Sequence, residues 1–258
     1  MNVLVIGSGG REHAIVDALS RSAQVAKIYC APGNVGIARQ AECIAIRETE
    51  IERLLDFARE TQVDLTVVGP EAALAVGIVD AFRAAGLRIF GPTKAAARIE
   101  SSKEFAKELM SRYGIPTAAY RTFGDYEEAR AYVAEQGAPI VLKYDGLAAG
   151  KGVVVAQMLE EADAALRDML LDDKFGVGRV VIEECLTGPE FSFMCFVSGR
   201  KVWPMVLAQD HKRAYDGDCG PNTGGMGAYS PLPFITPEDE RFALEHIMQP
   251  TAAALVAE

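Results

Sequence analysis

Cysteine is scarce in this chain and scattered: Cys30, Cys43, Cys185, Cys195 and Cys219, five residues with no CxxC pair. That spacing argues against a zinc centre, and the odd count beside apolar neighbours predicts reduced, mostly buried thiols in a cytoplasmic protein. No apolar run is long enough to span a bilayer. The N-terminus opens directly on a strand pattern, Asn2 to Ile6, without the charged region and long apolar core of a secretory signal. Positive charge is also in deficit. A net charge of −10 argues against non-specific nucleic-acid binding, which runs on lysine and arginine, so any phosphate site must be a local basic patch. Repeats and low-complexity segments are missing as well. What remains is an ordinary globular composition, 50% hydrophobic and 24% charged over 258 residues, enough chain for about two compact units.

The most informative stretch is Pro139 to Ala156. It reads as strand, small-residue loop, strand, with Lys143 near the start of the loop and Lys151 at its end. Gly146, Gly150 and Gly152 let the backbone approach a ligand closely, and two ammonium groups flanking such a loop suit a polyphosphate. The spacing is not that of a Walker A loop, because Gly rather than Ser or Thr follows Lys151 and a strand comes next. An ordinary hairpin with two surface lysines is the alternative.

Upstream, Asn2 to Ile6 is a buried-type strand, followed by Gly7-Ser-Gly-Gly-Arg-Glu-His13 and a helical pattern from Ala14 to Ser20. Strand, glycine loop and helix aim amide N–H groups at an anion. Glu12 stands where the dinucleotide fingerprint needs glycine, and no ribose-binding carboxylate follows, so a doubly wound α/β fold is expected without NAD. Ser8, Gly9, Gly10 and Arg11 fit a single phosphate; a tight structural turn with Arg11 salt-bridged is the alternative. Helices over Ile51–Glu60 and Ile78–Ala85 alternate with strands over Asp64–Val68 and Arg88–Phe90, which predicts a parallel sheet closing near residue 92. Glu71 follows a strand's carboxyl end, where open α/β sheets bind ligands. In the next segment Ser101 and Glu104 match a capping box. Lys103 then falls in the first helical turn against the macrodipole, a weak pointer to a phosphate.

From Ala118 a small α+β unit is expected, with strands at Tyr120–Phe123 and Gly178–Ile182 and helices from Asp125 and over Leu159–Leu170, of a size that suits a mobile lid. Glu183 and Glu184 end its last strand and face opposite ways. Glu190 precedes an alternating strand through Phe191, Phe193, Cys195 and Val197. Asp210, His211, Lys212 and Arg213 are too dense in charge for a core, and the glycine-rich Gly220–Ala228 loop after them suits closure over a small substrate. His211 as a base competes with a structural role; His13 and His246 are read as structural. Pro237 opens a final helix, and the chain stops at Ala252–Glu258 while still apolar.

These blocks together resemble the first part of the phosphoribosylamine–glycine ligase (glycinamide ribonucleotide synthetase) family of ATP-grasp enzymes in purine biosynthesis. The matches are Gly7 to Ala14, Ala31 to Asn34, Gly69 to Glu71, Lys143 to Gly152 and Gln209 to Ser230. The resemblance implies a Rossmann-like domain over 1–92, a helical connector over 93–119, an ATP-grasp lid over 120–186 and the incomplete start of a second ATP-grasp subdomain over 187–258. It also implies an ATP-dependent carboxylate–amine ligase: glycine's carboxylate takes the γ-phosphoryl group, and the amine of 5-phosphoribosylamine then displaces phosphate. Lys143 and Lys151 are implied at the ATP phosphates and, with Asp210, in catalysis. Lys103, Gly150 and Gly152 are further phosphate contacts, Glu183, Glu184 and Leu186 meet adenine, and Glu190 meets the ribose. Gly9, Gly10, Arg11, Asn34 and Glu71 are implied for phosphoribosylamine, and Asn222 and Gly225 for glycine.

Tyr144, Ala73, Pro189 and Phe191 depart from the family's pattern without replacing a ligand group. The family's Mg²⁺ (or Mn²⁺) ligands lie near an Arg-Phe-Gly-Asp-Pro-Glu run that this sequence does not contain, so no metal ligand is expected among these residues. A truncated form, inactive alone and able at most to grip nucleotide weakly, is therefore expected; the oligomeric state is left open with a monomer favoured, and no nucleic-acid or membrane partner is expected. Another ATP-grasp ligase or carboxylase is the alternative, which the Gln209–Gly227 block argues against; a nicotinamide-dependent dehydrogenase and a non-catalytic module are less well supported.

Overall fold

Val3, Leu4, Val5 and Ile6 are all fully buried, the unbroken apolar run of a strand covered on both faces. They form the centre of β1 (Asn2–Gly7). The computed structural model describes residues 1–146, 152–172, 178–217 and 219–258, divided into two compact units. No helix among the described residues is long and apolar enough to cross a membrane. All five cysteines are free thiols, and burial pushes that of Cys30 up to about 12.

The first unit holds residues 1–103 with 145–146. Its sheet adds β2 (Lys27–Pro32), β3 (Glu42–Cys43), β4 (Leu65–Val68) and β5 (Ile89–Phe90) in the order β3-β2-β1-β4-β5. Every pairing is parallel. Helices α1 (Gly10–Ser20), α2 (Ile51–Glu60), α3 (Glu71–Val76) and α4 (Ile78–Ala84) lie in the connections between them, and α5 (Lys94–Ser101) follows β5. One apolar cluster gathers Leu4, Ile6, Leu54, Ile78 and Phe82; a second gathers Val3, Val5, Val16, Cys30 and Ile37. Strand order reverses direction at β1, so the crevice between the carboxyl ends of β1 and β4 is the switch point where such sheets take ligands.

Two expectations need correction here, and one helix, α3, is an element the sequence did not predict. Helix α1 begins at Gly10, not Ala14, because the Glu12 carboxylate accepts the Gly9 N–H and closes the first turn early. The turn at Gly69–Glu71 leads straight into α3, a helix too short to show a period. Ser101 caps nothing: it is the last residue of α5, and the hydroxyl that starts this helix is Thr93, which accepts from Ala96 N.

The second unit begins at Glu104, one residue into α6 (Lys103–Arg112). Then come β6 (Tyr120–Phe123), α7 (Tyr126–Gln136), β7 (Ile140–Tyr144), β8 (Val153–Ala156), α8 (Leu159–Leu170) and β9 (Val180–Glu184). The four strands form an antiparallel sheet in the order β6-β9-β7-β8. Ala162, Ala165, Leu166 and Met169 line the buried face of α8 at helical spacing. Lys143 lies within β7, paired with Val153, rather than in the loop.

Beyond this sheet the structure thins. Strands β10 (Cys195–Ser198) and β11 (Lys201–Pro204) form a hairpin, so the strand expected through Phe191 and Phe193 begins only at Cys195, and its Val197 is exposed. The glycine-rich segment is no open loop: β12 (Gln209–Asp210) pairs with β15 (Ala228–Tyr229), and β13 (Arg213–Tyr215) with β14 (Cys219–Asn222). Thr236 caps α9 (Pro237–Ala243), with Pro237 at its start as the sequence predicts; a π-turn over Leu244–Met248 leads into α10 (Gln249–Ala257).

Candidate nucleotide and phosphosugar sites

At the switch point, α1 follows β1 and α3 follows β4, so the first turns of both helices face the same crevice. Arg11 and Glu71 meet there in a two-pronged ion pair, Nη1 to Oε1 at 2.8 Å and Nη2 to Oε2 at 3.2 Å. The Glu71 hydrogen bond pushes the Arg11 guanidinium up, and the Arg11 bond holds the Glu71 carboxyl below its usual range. The Arg11 side chain stays 68% exposed, so donors outside the pair remain available to an anion. The salt-bridged alternative and the phosphate reading thus coexist in one residue.

Two other candidates are occupied by structure. The Gly9 amide donates to Glu12 Oε2 at 2.6 Å. Asn34 clamps its own loop: Oδ1 accepts from Gly36 N and Ile37 N at 2.8 and 2.9 Å, and Nδ2 donates to the Ser8 carbonyl. Gly10 opens α1, and a side chain there would meet nothing within 4 Å, so its position stays open. Glu12 is the residue that sequence reasoning underrated. It is 3% exposed, its Oε1 has no partner among the described residues, and it fills the space over Gly7 and Gly69.

Lys103 donates from Nζ to the Gly146 carbonyl at 3.0 Å, which fastens the first position of α6 to the start of the glycine loop. Ser102 Oγ donates to Asp145 beside it. Gly150 and Lys151 lie outside the described residues.

In the second unit, β7 and β9 are neighbours, and Lys143 and Glu183 project from the same face of the sheet. Lys143 Nζ sits 2.9 Å from both oxygens of Glu183, which is 6% exposed. Lys107, which sequence reasoning missed, approaches the same carboxylate at 3.1 Å. Its only signal is the four-residue spacing from Lys103 along α6. The Glu183 carboxylate is therefore a buried anchor for two lysines. Glu184 faces the other way and accepts from Ala119 N at 2.8 Å, while Leu186 is 69% exposed. Gly152 is buried, and its carbonyl accepts from Tyr144 N as the hairpin closes.

The last candidates form a connected polar group. Glu190 takes Lys212 Nζ at 3.0 Å, which pushes the lysine up, and its carbonyl takes Gln209 Nε2. Tyr229 donates to Gln209 Oε1, and its ring stacks on His211 at 5.7 Å. Asp210 is 3.7 Å from the same lysine, and a Cβ on Gly225 would lie 3.9 Å from Asp210 Oδ2. The backbone of Asn222 belongs to β14; its side chain lies outside the described residues.

Residues 1–100 match the family described as phosphoribosylglycinamide synthetase, N domain, and residues 101–258 match its ATP-grasp (A) domain. A phosphoribosylamine–glycine ligase of Listeria innocua is 57% identical over all of this chain and 62% of its own length, and one of Pseudomonas aeruginosa is 55% identical over 61% of its length. The chain thus spans about three fifths of the curated relatives it matches. The crystal structure of phosphoribosylamine–glycine ligase from Thermotoga maritima, 34% identical, superposes with a TM-score of 0.84 over 98% of this chain and 61% of that one. A biotin carboxylase from Campylobacter jejuni shares the fold at a TM-score of 0.75 with 16% identity.

Proposed function

The chain belongs to the phosphoribosylglycinamide synthetase family, with a Rossmann-like parallel-sheet domain followed by an ATP-grasp domain, and from that premise we propose that it grips ATP and a phosphorylated sugar amine for ligation to glycine. In that reaction glycine's carboxylate attacks the γ-phosphorus and ADP leaves. The amine of 5-phosphoribosylamine then attacks the glycyl carbon, losing a proton as phosphate departs.

The observation that carries the reading is Lys143. Its ammonium is held by both oxygens of buried Glu183, yet the Lys143 side chain remains 29% exposed, at the head of a glycine-rich hairpin. Such a group neutralises charge on a transferring phosphoryl, and glycine amides add dipoles without steric cost. Lys103 and Lys151 are read as further phosphate contacts, Glu184 and Leu186 as the adenine wall, Arg11 and Gly10 as the sugar-phosphate seat, and Asp210 and Gly225 as the glycine end. Substrate phosphate would take the Arg11 donors that Glu71 leaves free. His211 stacked on Tyr229 supports a positioning role over that of a base.

The family works with a divalent metal ion. Among the described residues no three His, Cys, Asp or Glu side chains come together as a metal cluster, and Glu183 and Glu190 are already committed to lysines. Those two carboxylates therefore do not fit such an ion.

Calorimetric titration of the 258-residue chain with ATP tests the proposal, and saturable binding that Lys143→Ala weakens is expected. No binding up to millimolar ATP would overturn it. ADP release that needs both glycine and phosphoribosylamine would carry the proposal from nucleotide grip to the complete ligation.

A further inference from the structure

Lys107 lies on α6 and is 7% exposed, a depth at which a lone ammonium would be costly. Its ammonium donates to Thr117 Oγ1 at 2.7 Å and to the Ala118 carbonyl at 3.1 Å, and it is ion-paired with Glu183 Oε2 at 3.1 Å. The same Oε2 also takes Lys143 at 2.9 Å. One buried carboxylate therefore serves two lysines of unlike exposure: the Lys107 side chain is 9% exposed and that of Lys143 29%.

The asymmetry has a physical consequence. If Lys143 were the sole counter-ion of Glu183, swinging its ammonium toward a phosphate would leave a buried carboxylate unpaired, which is strongly unfavourable. With Lys107 fixed by Thr117 and Ala118, Glu183 keeps a counter-ion whichever way Lys143 points. The three groups carry a net positive charge only because Lys107 is present.

We propose that Lys107 is a positioning residue for polyphosphate binding: it neutralises Glu183 permanently and so frees the charge of Lys143 for the ligand. The inference rests on the nucleotide reading above and deepens it. Lys107 touches no substrate in this scheme, and its influence passes through one carboxylate.

The test is a double-mutant cycle on the 258-residue chain, with affinities for ATP and for adenosine measured by calorimetry. In Lys107→Met, ATP affinity should fall roughly tenfold while adenosine changes less than about twofold, a coupling of the size found between contacting charges. In Lys107→Met/Glu183→Gln the carboxylate that would hold Lys143 is gone, and the preference for ATP over adenosine should return to within about threefold of the parent. A merely structural lysine would instead weaken both ligands alike, with the double variant no better than the single. That result overturns the proposal, as does an unchanged ATP preference in Lys107→Met.

If Lys107→Met does not fold, the double variant and Lys107→Arg decide. Both must keep the ATP preference, and its loss in either overturns the proposal. A parent chain that does not prefer ATP to adenosine removes the nucleotide reading and the Lys107 inference together. A parent that does, beside an unaffected Lys107→Met, removes the inference alone.

Discussion

Glu12 shows how one residue can decide a loop. Its carboxylate takes the Gly9 amide, and its stem occupies the space where side chains on Gly7 and Gly69 would stand. A Cβ on Gly69 would fall 2.0 Å from Glu12 Oε1, inside any tolerable contact. Gly69→Ala should therefore destabilise by about 1–3 kcal/mol, as forced overpacking does. The cost should largely vanish in a Glu12→Ala background, which itself gives up about 1 kcal/mol of capping. Urea denaturation of the four proteins measures this, and an equal penalty for Gly69→Ala in both backgrounds would contradict the packing account. The Arg11–Glu71 pair sets a pH dependence. Glu71 is held low chiefly by the hydrogen bond from Arg11, so its contribution is present above the unfolded carboxyl value near 4.3 and is lost as pH falls through the lower folded value. The pair is half exposed, which limits its worth to about 1 kcal/mol or less. Glu71→Gln should be less stable than the parent at pH 7, with the gap closing as pH drops below about 4; a gap that persists at pH 2 would assign the loss to packing.

Elements with a strong period were legible in the sequence, and short ones were not. Helices α2 and α8 run over the residues their apolar spacing picks out, since a stripe of three or four buried residues fixes both phase and length. The buried run of β1 was equally plain. Strand β3 has two residues and α3 six, too few for any pattern to emerge. Sequence also named Lys143 and Glu183 separately, but their pairing depends on β7 lying beside β9, a non-local register that no local pattern carries. Lys107 stayed hidden for the same reason: buried lysines look like surface ones until their partners are known. The packing of α8 gives a test at this scale. Leu166 is fully buried beside Ala162 and Met169, so Leu166→Ala should cost about 2–5 kcal/mol. Urea denaturation followed by circular dichroism measures it, and a loss below about 1 kcal/mol would mean the helix is not fastened as described.

Over the whole molecule, charge is arranged against its bulk sign. The chain carries −10, yet the groups proposed to meet phosphate are cationic, and acidic partners set two of them in place: Arg11 by Glu71 and Lys143 by Glu183. A net-acidic surface repels polyanions at long range, while screening over roughly 10 Å at 0.1 M salt leaves close contacts effective. Affinity for ATP should then come from these local cations. Mg²⁺ in nucleotide sites is usually seated by one or two carboxylates together with the phosphates. Here Glu183 and Glu190 are paired with lysines. Removing the metal should therefore leave binding intact. Metal-free ATP brings more negative charge to the lysines than the magnesium complex does, and each close contact of opposite charges strengthens accordingly. Titrations of the 258-residue chain in excess EDTA and in millimolar Mg²⁺ should give ATP affinities within about threefold of each other, with any difference favouring EDTA. A loss of more than about tenfold in EDTA would mean that the phosphates are held through an ion rather than by lysines, and the proposed role of Lys143 would fall with it.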